Sequence, residues 1–256
     1  MSGDNIHASF TENASFDDSL LQNGQSETEN GYLQNDDALK FFKKKQSDWN
    51  KILMATSSAT ALGFIGLPLV AFLGSIGTAL SIELSIPIDR IVSVMEMLLD
   101  EFKEEGITII PRVKANNGTI DLLIRTNDGR YFAFLLRSNG DSRVKWRADR
   151  QQFYTVGKGR NSKWSGLELL GDELNRMMLS FKEEKNPILG LSKSERKKAF
   201  TKAIVLTSKT RLDPNNDPER LITFGRATAL RMMGKSTYYL VDRANLADFL
   251  RKPVEK

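Results

Sequence analysis

The sequence predicts a mixed α/β domain in which helices flank a sheet, and three stretches support this prediction. Residues 118–138 hold two apolar, β-rich runs on either side of an Asn-Asp-Gly turn signal, a pattern typical of two adjacent strands. Residues 87–106 repeat apolar side chains at helical spacing, with a proline in the first turn and a glycine at the end. Residues 107–113 predict a further strand between them. The chain therefore reads as one helix followed by three strands.

The elements after this core continue the same architecture. Residues 167–182 predict a second amphipathic helix, and residues 203–207 and 238–241 predict buried strands because they are short apolar runs. A final helix over residues 242–250 is expected to pack on the sheet. We therefore expect a mixed sheet flanked by helices, within one α/β domain over residues 87–252.

The N-terminal part divides into three segments of different composition. Residues 1–38 contain eight acids and no Lys or Arg, so they carry −8 and leave +13 on the rest of a chain whose net charge is +5. Low hydrophobicity with one sign of charge predicts a disordered acidic tail. Residues 39–51 interleave lysines with Phe and Trp, which is typical of a membrane interface.

The next segment, residues 52–86, predicts membrane association. Residues 52–82 carry no charge, which is long enough for one crossing of a bilayer and short for two. Pro68 and the glycines around it favour an apolar hairpin, which would keep the main domain facing the cytoplasm. A single crossing and a buried helical hairpin without a membrane are the alternatives.

The composition excludes several kinds of chemistry. The chain has no cysteine, and its one histidine, His7, lies in the acidic tail. Disulfides, thiolate zinc sites, cysteine nucleophiles and histidine-based triads are therefore excluded. Any reaction must use carboxylates, lysines, arginines and the backbone.

Asp121 is the residue that most needs an explanation. It lies within an apolar strand, where a carboxylate requires a partner or a metal ion. On the next predicted strand Leu135 and Arg137 share one face, because side chains alternate along a strand. The pattern Gly-x-Ile-Asp-Leu-Leu-Ile, a short turn and an apolar strand ending in Arg137 and Ser138 resembles the core of the PD-(D/E)XK nucleases. The resemblance is to their restriction-endonuclease-like and NERD-like branches.

This resemblance implies a restriction-endonuclease-like core over residues 88–250 and a degenerate active site. Asp121 matches the acid that helps to hold Mg²⁺, whereas Leu135 stands where the family has its second acid and Arg137 where it has lysine. Glu96 matches the carboxylate that family members often place on the first helix. The candidate catalytic residues are therefore Asp121, Arg137 and Glu96, with Asp121 as the candidate metal ligand and Mg²⁺ as the cofactor if the protein is catalytic.

A basic segment follows the predicted strand pair and predicts nucleic-acid binding. Cations neutralise phosphates and flat rings stack on bases, and the segment mixes both kinds of side chain. The candidate nucleic-acid-binding residues are Arg143, Lys145, Trp146, Arg147, Arg150, Lys158, Arg160 and Lys163. The alternatives are a basic surface loop that its aromatic residues anchor to the domain, and a lipid-headgroup surface.

Three functional hypotheses follow. The first is a membrane-tethered, catalytically degenerate nuclease-fold module that binds nucleic acid or a protein partner through a basic surface. The second is an active Mg²⁺-dependent DNA or RNA endonuclease in which another acid replaces the missing one. The third is a membrane-associated scaffold protein that uses the fold for protein contacts alone.

Overall fold

A computed structural model describes residues 27–28, 31–66, 86–157, 161–183 and 199–251 of the protein. These residues form thirteen strands, four α-helices and one 3-10 helix. In chain order they are β1 (Glu27–Thr28), β2 (Gly31–Tyr32), α1 (Asn35–Gly66), α2 (residues 86–101), β3 (Ile107–Ala115), β4 (Gly118–Thr126), β5 (Tyr131–Arg137), β6 (Arg143–Arg147), β7 (Gln152–Val156), β8 (Asn161–Lys163), α3 (Leu167–Glu183), β9 (Phe200–Leu206), β10 (Arg211–Leu212), β11 (Leu221–Phe224), β12 (Ala227–Met233), β13 (Thr237–Asp242), the 3-10 helix (Arg243–Asn245) and α4 (Leu246–Arg251).

A seven-stranded mixed sheet forms the centre of the fold, with strand order β11-β12-β13-β9-β5-β4-β3. Strands β13, β9 and β5 run parallel to one another, and the remaining neighbours pair antiparallel. Helix α3 lies in the connection from β5 to β9, as a parallel pair requires a long crossover. The prediction of a mixed sheet flanked by helices is confirmed.

Each face of this sheet packs against a different group of elements. Phe132, Phe134 and Leu136 of β5 lie in one hydrophobic cluster with side chains of α1, α2 and α4. The alternate residues of β5 lie in a second cluster with side chains of α3. The run of buried residues in β5 is therefore continuous because other elements cover both faces of the sheet, as is usual around parallel strands.

The alternation of side chains shifts by one residue where Arg112 of β3 faces Asp121 of β4. Leu122 contributes to the cluster on the α2 side, whereas Ile120, two residues away, contributes to the cluster on the α3 side. Arg112 has a φ of 55°, in the left-handed region that non-glycine residues seldom adopt. The sheet is therefore irregular at the position where the sequence places its buried acid.

A second sheet, with strand order β10-β6-β7-β8, covers part of the α3 side. Its inner residues Val144, Trp146 and Phe153 pack with residues of β9, β12 and β13 in a third hydrophobic cluster. The basic segment therefore forms three antiparallel strands, β6, β7 and β8.

Helix α1 differs from the segments predicted for the N-terminal part of the chain. It runs without interruption from Asn35 to Gly66, across the predicted boundaries at residues 38 and 51. Ala38 and Phe42 are buried in the cluster that α2 forms with the sheet. Asn35 accepts a hydrogen bond from the amide of Ile109 and donates one to the carbonyl of Ile107. The start of the helix therefore belongs to the α/β domain.

No helix in the part of the chain that the structure describes is both long enough and apolar enough to cross a bilayer. The predicted transmembrane helix is therefore wrong for these residues, and the predicted localisation at a membrane, with the main domain facing the cytoplasm, loses its basis. The uncharged stretch misled the prediction because its first part continues a helix that starts at Asn35 and packs on the domain. Residues 67–85 and most of the acidic tail, residues 1–26, lie outside the described residues.

Gly171 of α3 offers a test of how α3 packs on the sheet. A Cβ atom at this position would overlap the ring of Tyr238 on β13. Alanine usually stabilises a helix interior relative to glycine by about 1 kcal/mol. We expect Gly171→Ala to lower the free energy of unfolding by about 1–3 kcal/mol instead, because the added methyl group overpacks the contact.

The measurement is urea denaturation of the unaltered protein and the Gly171→Ala variant, followed by circular dichroism. Gly234→Ala is the matched control, since its Cβ would lie 3.5 Å from Asp172 Oδ1, an ordinary contact. An increased unfolding midpoint for Gly171→Ala would show that α3 does not lie against Tyr238.

Candidate functional site

The carboxylate of Asp121 is buried and is held by the neighbouring strand β5. The residue is 8% exposed. Its Oδ2 accepts a hydrogen bond from the backbone amide of Leu136 at 2.7 Å and another from Arg137 Nη1 at 2.9 Å. Arg137 Nη1 also donates to the carbonyl of Leu136 at 2.8 Å. The structure therefore brings two of the predicted site residues into contact, and Arg137 is the partner that the buried carboxylate of Asp121 requires.

Arg112 adds a second cation to the same carboxylate. Its Nη1 lies 3.9 Å from Asp121 Oδ1, and its side chain is 18% exposed. The left-handed backbone of Arg112, directly across from Asp121, marks the shift in side-chain alternation on β3. A left-handed residue in a strand has no sequence signal when it is an arginine, so sequence reasoning could not identify this contact.

Two further cations approach from the helices. Burial lowers the pKa of Arg90 on α2, the nearby guanidinium of Arg137 lowers it further, and Asp121 opposes this change. The buried Nε of Arg90 has no hydrogen-bond partner among the described residues. Burial also lowers the pKa of Lys45 on α1, and Arg112 lowers it further. We refer to Asp121, Arg137, Arg112, Arg90 and Lys45 as the Asp121 cluster.

The side chains around Asp121 do not provide the ligands of a magnesium site. Mg²⁺ requires several oxygen ligands and keeps part of its water shell. Both oxygens of Asp121 face cations or an amide, and Leu135, at the place of the second acid, is fully buried in the cluster against α3. Glu96, the third predicted catalytic residue, pairs with Lys43 of α1 at 2.7 Å. Within the described ranges no three His, Cys, Asp or Glu residues group as metal ligands would.

A cavity of about 680 Å³ lies beside the Asp121 cluster, at the carboxyl ends of the parallel strands. Arg90 lines it from α2, Ser138 from the loop after β5, Thr207 and Ser208 from the loop after β9, and Arg243 from the 3-10 helix after β13. Carboxyl ends of parallel strands are where open α/β sheets usually bind ligands. We refer to it as the strand-end cavity.

The second sheet separates its charged and apolar residues by strict alternation. On β6 the charged residues Arg143, Lys145 and Arg147 point away from the core, while the residues between them are buried. Lys145 lies opposite Tyr154 of β7, and Tyr154 lies opposite Lys163 of β8. These five residues therefore share the outer side of the sheet, and we refer to them as the basic face.

Trp146, which was predicted to bind nucleic acid, lies on the inner side. It is 8% exposed, packs edge-on against Phe153 at 4.8 Å between ring centroids, and carries the guanidinium of Arg220 over its ring at 5.3 Å. A ring in this position packs the core and does not face a base. The half-buried Tyr154, over which Arg147 lies at 5.3 Å, is the aromatic residue on the basic face.

The other predicted cations have varied surroundings. Arg150 donates to the hydroxyl of Tyr154 at 3.3 Å and lies 3.7 Å from Asp149, while Arg147 lies 3.1 Å from the same carboxylate. Lys163 lies 4.0 Å from Glu168. Lys158 and Arg160 lie outside the described residues.

A second pocket, of about 570 Å³, adjoins the edge of the basic face. Arg143, Lys209 and Arg211 line it, together with Asp141. It uses the same two loops as the strand-end cavity, because each loop places its first residues in the cavity and its next residues in this pocket. The buried hydroxyl of Thr210 joins the loops, since it accepts from the amide of Asn139 and donates to the carbonyl of Gly140.

The role of Asp121 can be tested by Asp121→Asn. The amide side chain removes the negative charge that the two contacting arginines share, so these partly buried guanidinium groups lose their counter-ion. Breaking a buried ion pair from one side costs about 3–5 kcal/mol, and we expect somewhat less, about 2–3 kcal/mol, because Arg137 is partly exposed.

The free energy of unfolding from urea denaturation is the measurement, and Asp149→Asn is the matched control. Asp149 pairs with two arginines on the surface, where an ion pair contributes about 0–1 kcal/mol. Equal losses in both variants would contradict a structural role for the Asp121 contacts.

Comparisons with known proteins assign no family to the chain. No protein-family model, no curated protein and no solved structure matches it. The resemblance to PD-(D/E)XK nucleases therefore stays a prediction that depends on the residues around Asp121, and the function has to follow from the Asp121 cluster, the strand-end cavity and the basic face.

Proposed function

We propose that the protein binds single-stranded nucleic acid through the basic face without cleaving it. The observation that supports this proposal is the register of the second sheet, in which Tyr154 lies between Lys145 and Lys163 across three strands. Arg143 and Arg147 extend the same side of β6. Cations on either side of a flat ring are the combination that holds phosphates and stacks a base.

The charges of the surface support a polyanion as the ligand. The cations of the basic face together with Arg150 number five, and two carboxylates pair with some of them, Asp149 and Glu168. The net charge of this surface is therefore positive. A half-buried tyrosine suits a single strand better than a duplex, because the bases of a duplex are already stacked on each other.

We also propose that the core is restriction-endonuclease-like and that its catalytic motif is degenerate. The order α2-β3-β4-β5, followed after the strands β6 to β8 of the second sheet by α3 and β9, supports this assignment, with β5 and β9 parallel. Asp121 and Arg137 lie on adjacent strands, as the resemblance implies, and their side chains are in contact. We expect binding without hydrolysis because the residues around Asp121 do not suit a metal ion. Arginines already contact its carboxylate, and Leu135 provides no second acid.

Charge neutralisation on the basic face predicts the salt dependence of binding. We expect Lys145→Gln combined with Lys163→Gln to weaken binding of an internally labelled single-stranded oligonucleotide. The slope of log affinity against log salt should fall by about 0.7 for each lost phosphate contact. Fluorescence anisotropy across a salt series measures this. Lys103→Gln, an exposed lysine after α2, is the matched control, and an equal effect of that variant would mean that binding is not local to the basic face.

Stacking on Tyr154 predicts a different signature. Tyr154→Ala should cost about 1–3 kcal/mol in binding free energy while the salt slope stays unchanged, since stacking involves no counter-ion. Tyr154→Phe should restore the affinity. The same oligonucleotide incubated with Mg²⁺ should stay intact. Cleavage that Asp121→Asn abolishes would show that the protein is a nuclease and would contradict the proposal.

A further inference from the structure

The strand-end cavity and the basic face are connected along the surface. Gly140 lines the cavity, and Arg143, three residues later, lines the second pocket and belongs to the basic face. The loop after β9 does the same with Ser208 in the cavity and Lys209 in the second pocket. A chain that lies on the basic face can therefore pass over this pocket and enter the cavity.

The Asp121 cluster at the cavity holds more positive than negative charge. Arg137 and Arg112 contact the carboxylate of Asp121, and Arg90 lies near enough for the charge of Asp121 to affect its pKa. Arg90 and Arg137 are close enough to repel each other, and Arg90 has a buried Nε without a partner. Like charges in a partly buried site are costly unless an anion lies between them. The geometry of the cluster therefore favours an anionic ligand.

The two acids that line the cavity already have partners on α1. Asp89 accepts a hydrogen bond from Gln46 at 2.8 Å, and Glu96 pairs with Lys43. Arg243 and the hydroxyl groups of Ser138 and Ser208 add further hydrogen-bond donors to the lining. The lining thus offers an anion both charge and hydrogen bonds.

We propose that the strand-end cavity binds the phosphorylated end of a nucleic-acid strand, with Arg90 and Arg243 as its ligands. A terminal phosphate is a monoester with a charge between −1.5 and −2 near neutral pH, whereas an internal phosphodiester carries −1. A volume of about 680 Å³ matches a cavity for one small ligand, such as a terminal nucleotide. This inference rests on the proposed function for the part of the strand that lies outside the cavity.

The experiment compares three single-stranded oligonucleotides of one sequence: one with a 5′-phosphate, one with a 3′-phosphate and one with hydroxyl groups at both ends. Isothermal titration with the full chain should show that one phosphorylated form binds roughly tenfold tighter than the form without phosphate. Arg90→Gln should abolish this preference, so that the variant binds all three oligonucleotides with equal affinity. Arg226→Gln, an exposed arginine in the β11–β12 turn, is the matched control and should keep the preference.

Two controls keep the outcomes distinct. If Arg90→Gln does not fold, Arg243→Gln tests the same cavity from another element. A 5′-phosphorylated and a 3′-phosphorylated dinucleotide, both too short to cover the basic face, are titrated separately.

Equal affinity for all three long oligonucleotides would overturn the end-binding site and leave the basic face as proposed. Binding of a phosphorylated dinucleotide that depends on Arg90, without binding of the long forms, would retain the site and overturn the proposed function. Binding of neither overturns both.

Discussion

The buried carboxylate of Asp121 is the constraint around which the candidate site is built. It accepts a hydrogen bond from the backbone amide of Leu136. This amide lies just beyond Leu122 and Phe134, the last regular pair between β4 and β5. A carboxylate can remain in this position only with compensating charge, and Arg137 and Arg112 supply it. Because both arginines turn towards Asp121, the irregular part of the sheet becomes the place where cations converge.

The same constraint explains why the site lies beside the strand-end cavity. Arg137 ends β5, and the next residue, Ser138, already lines the cavity. Thr207 stands at the same level after β9, and its amide donates to the carbonyl of Arg137. The ends of the parallel strands are thus joined to each other and to the Asp121 contact, which fixes the cavity wall relative to the cations.

Much of the central fold could be predicted from the sequence because its patterns are local. The two runs around the Asn-Asp-Gly turn became β4 and β5, and the helical spacing after Pro87 became α2. The sequence also allowed the proximity of Asp121 and Arg137 to be predicted, since adjacent strands bring an acid in one run near a cation in the next. The alternation of Arg143, Lys145 and Arg147 with buried residues was present in the sequence too, and it could have placed Trp146 in the core.

Other features depend on tertiary contacts that no local pattern reveals. The lysines and phenylalanines before residue 52 matched a membrane interface, but Phe42 packs against the domain and α1 starts from a side-chain contact with β3. Hydropathy alone cannot distinguish an aromatic residue at a membrane interface from one that packs against a domain. The convergence of Arg90 and Arg112 on Asp121 has the same origin, because it joins a helix and two strands that the sequence leaves independent.

A site built from arginines differs from a two-carboxylate metal site in what it can do with a phosphate. Two carboxylates can hold a divalent cation, and the cation attracts the phosphate and activates a water molecule. In the Asp121 cluster the positive charge belongs to guanidinium groups, which bind phosphate oxygens directly and in a fixed planar geometry. A guanidinium group stays protonated at any physiological pH, so it neither removes a proton from water nor lowers the pKa of water as a metal ion does. This chemistry agrees with the proposed binding of a strand end without hydrolysis, because guanidinium groups attract phosphate but do not activate water.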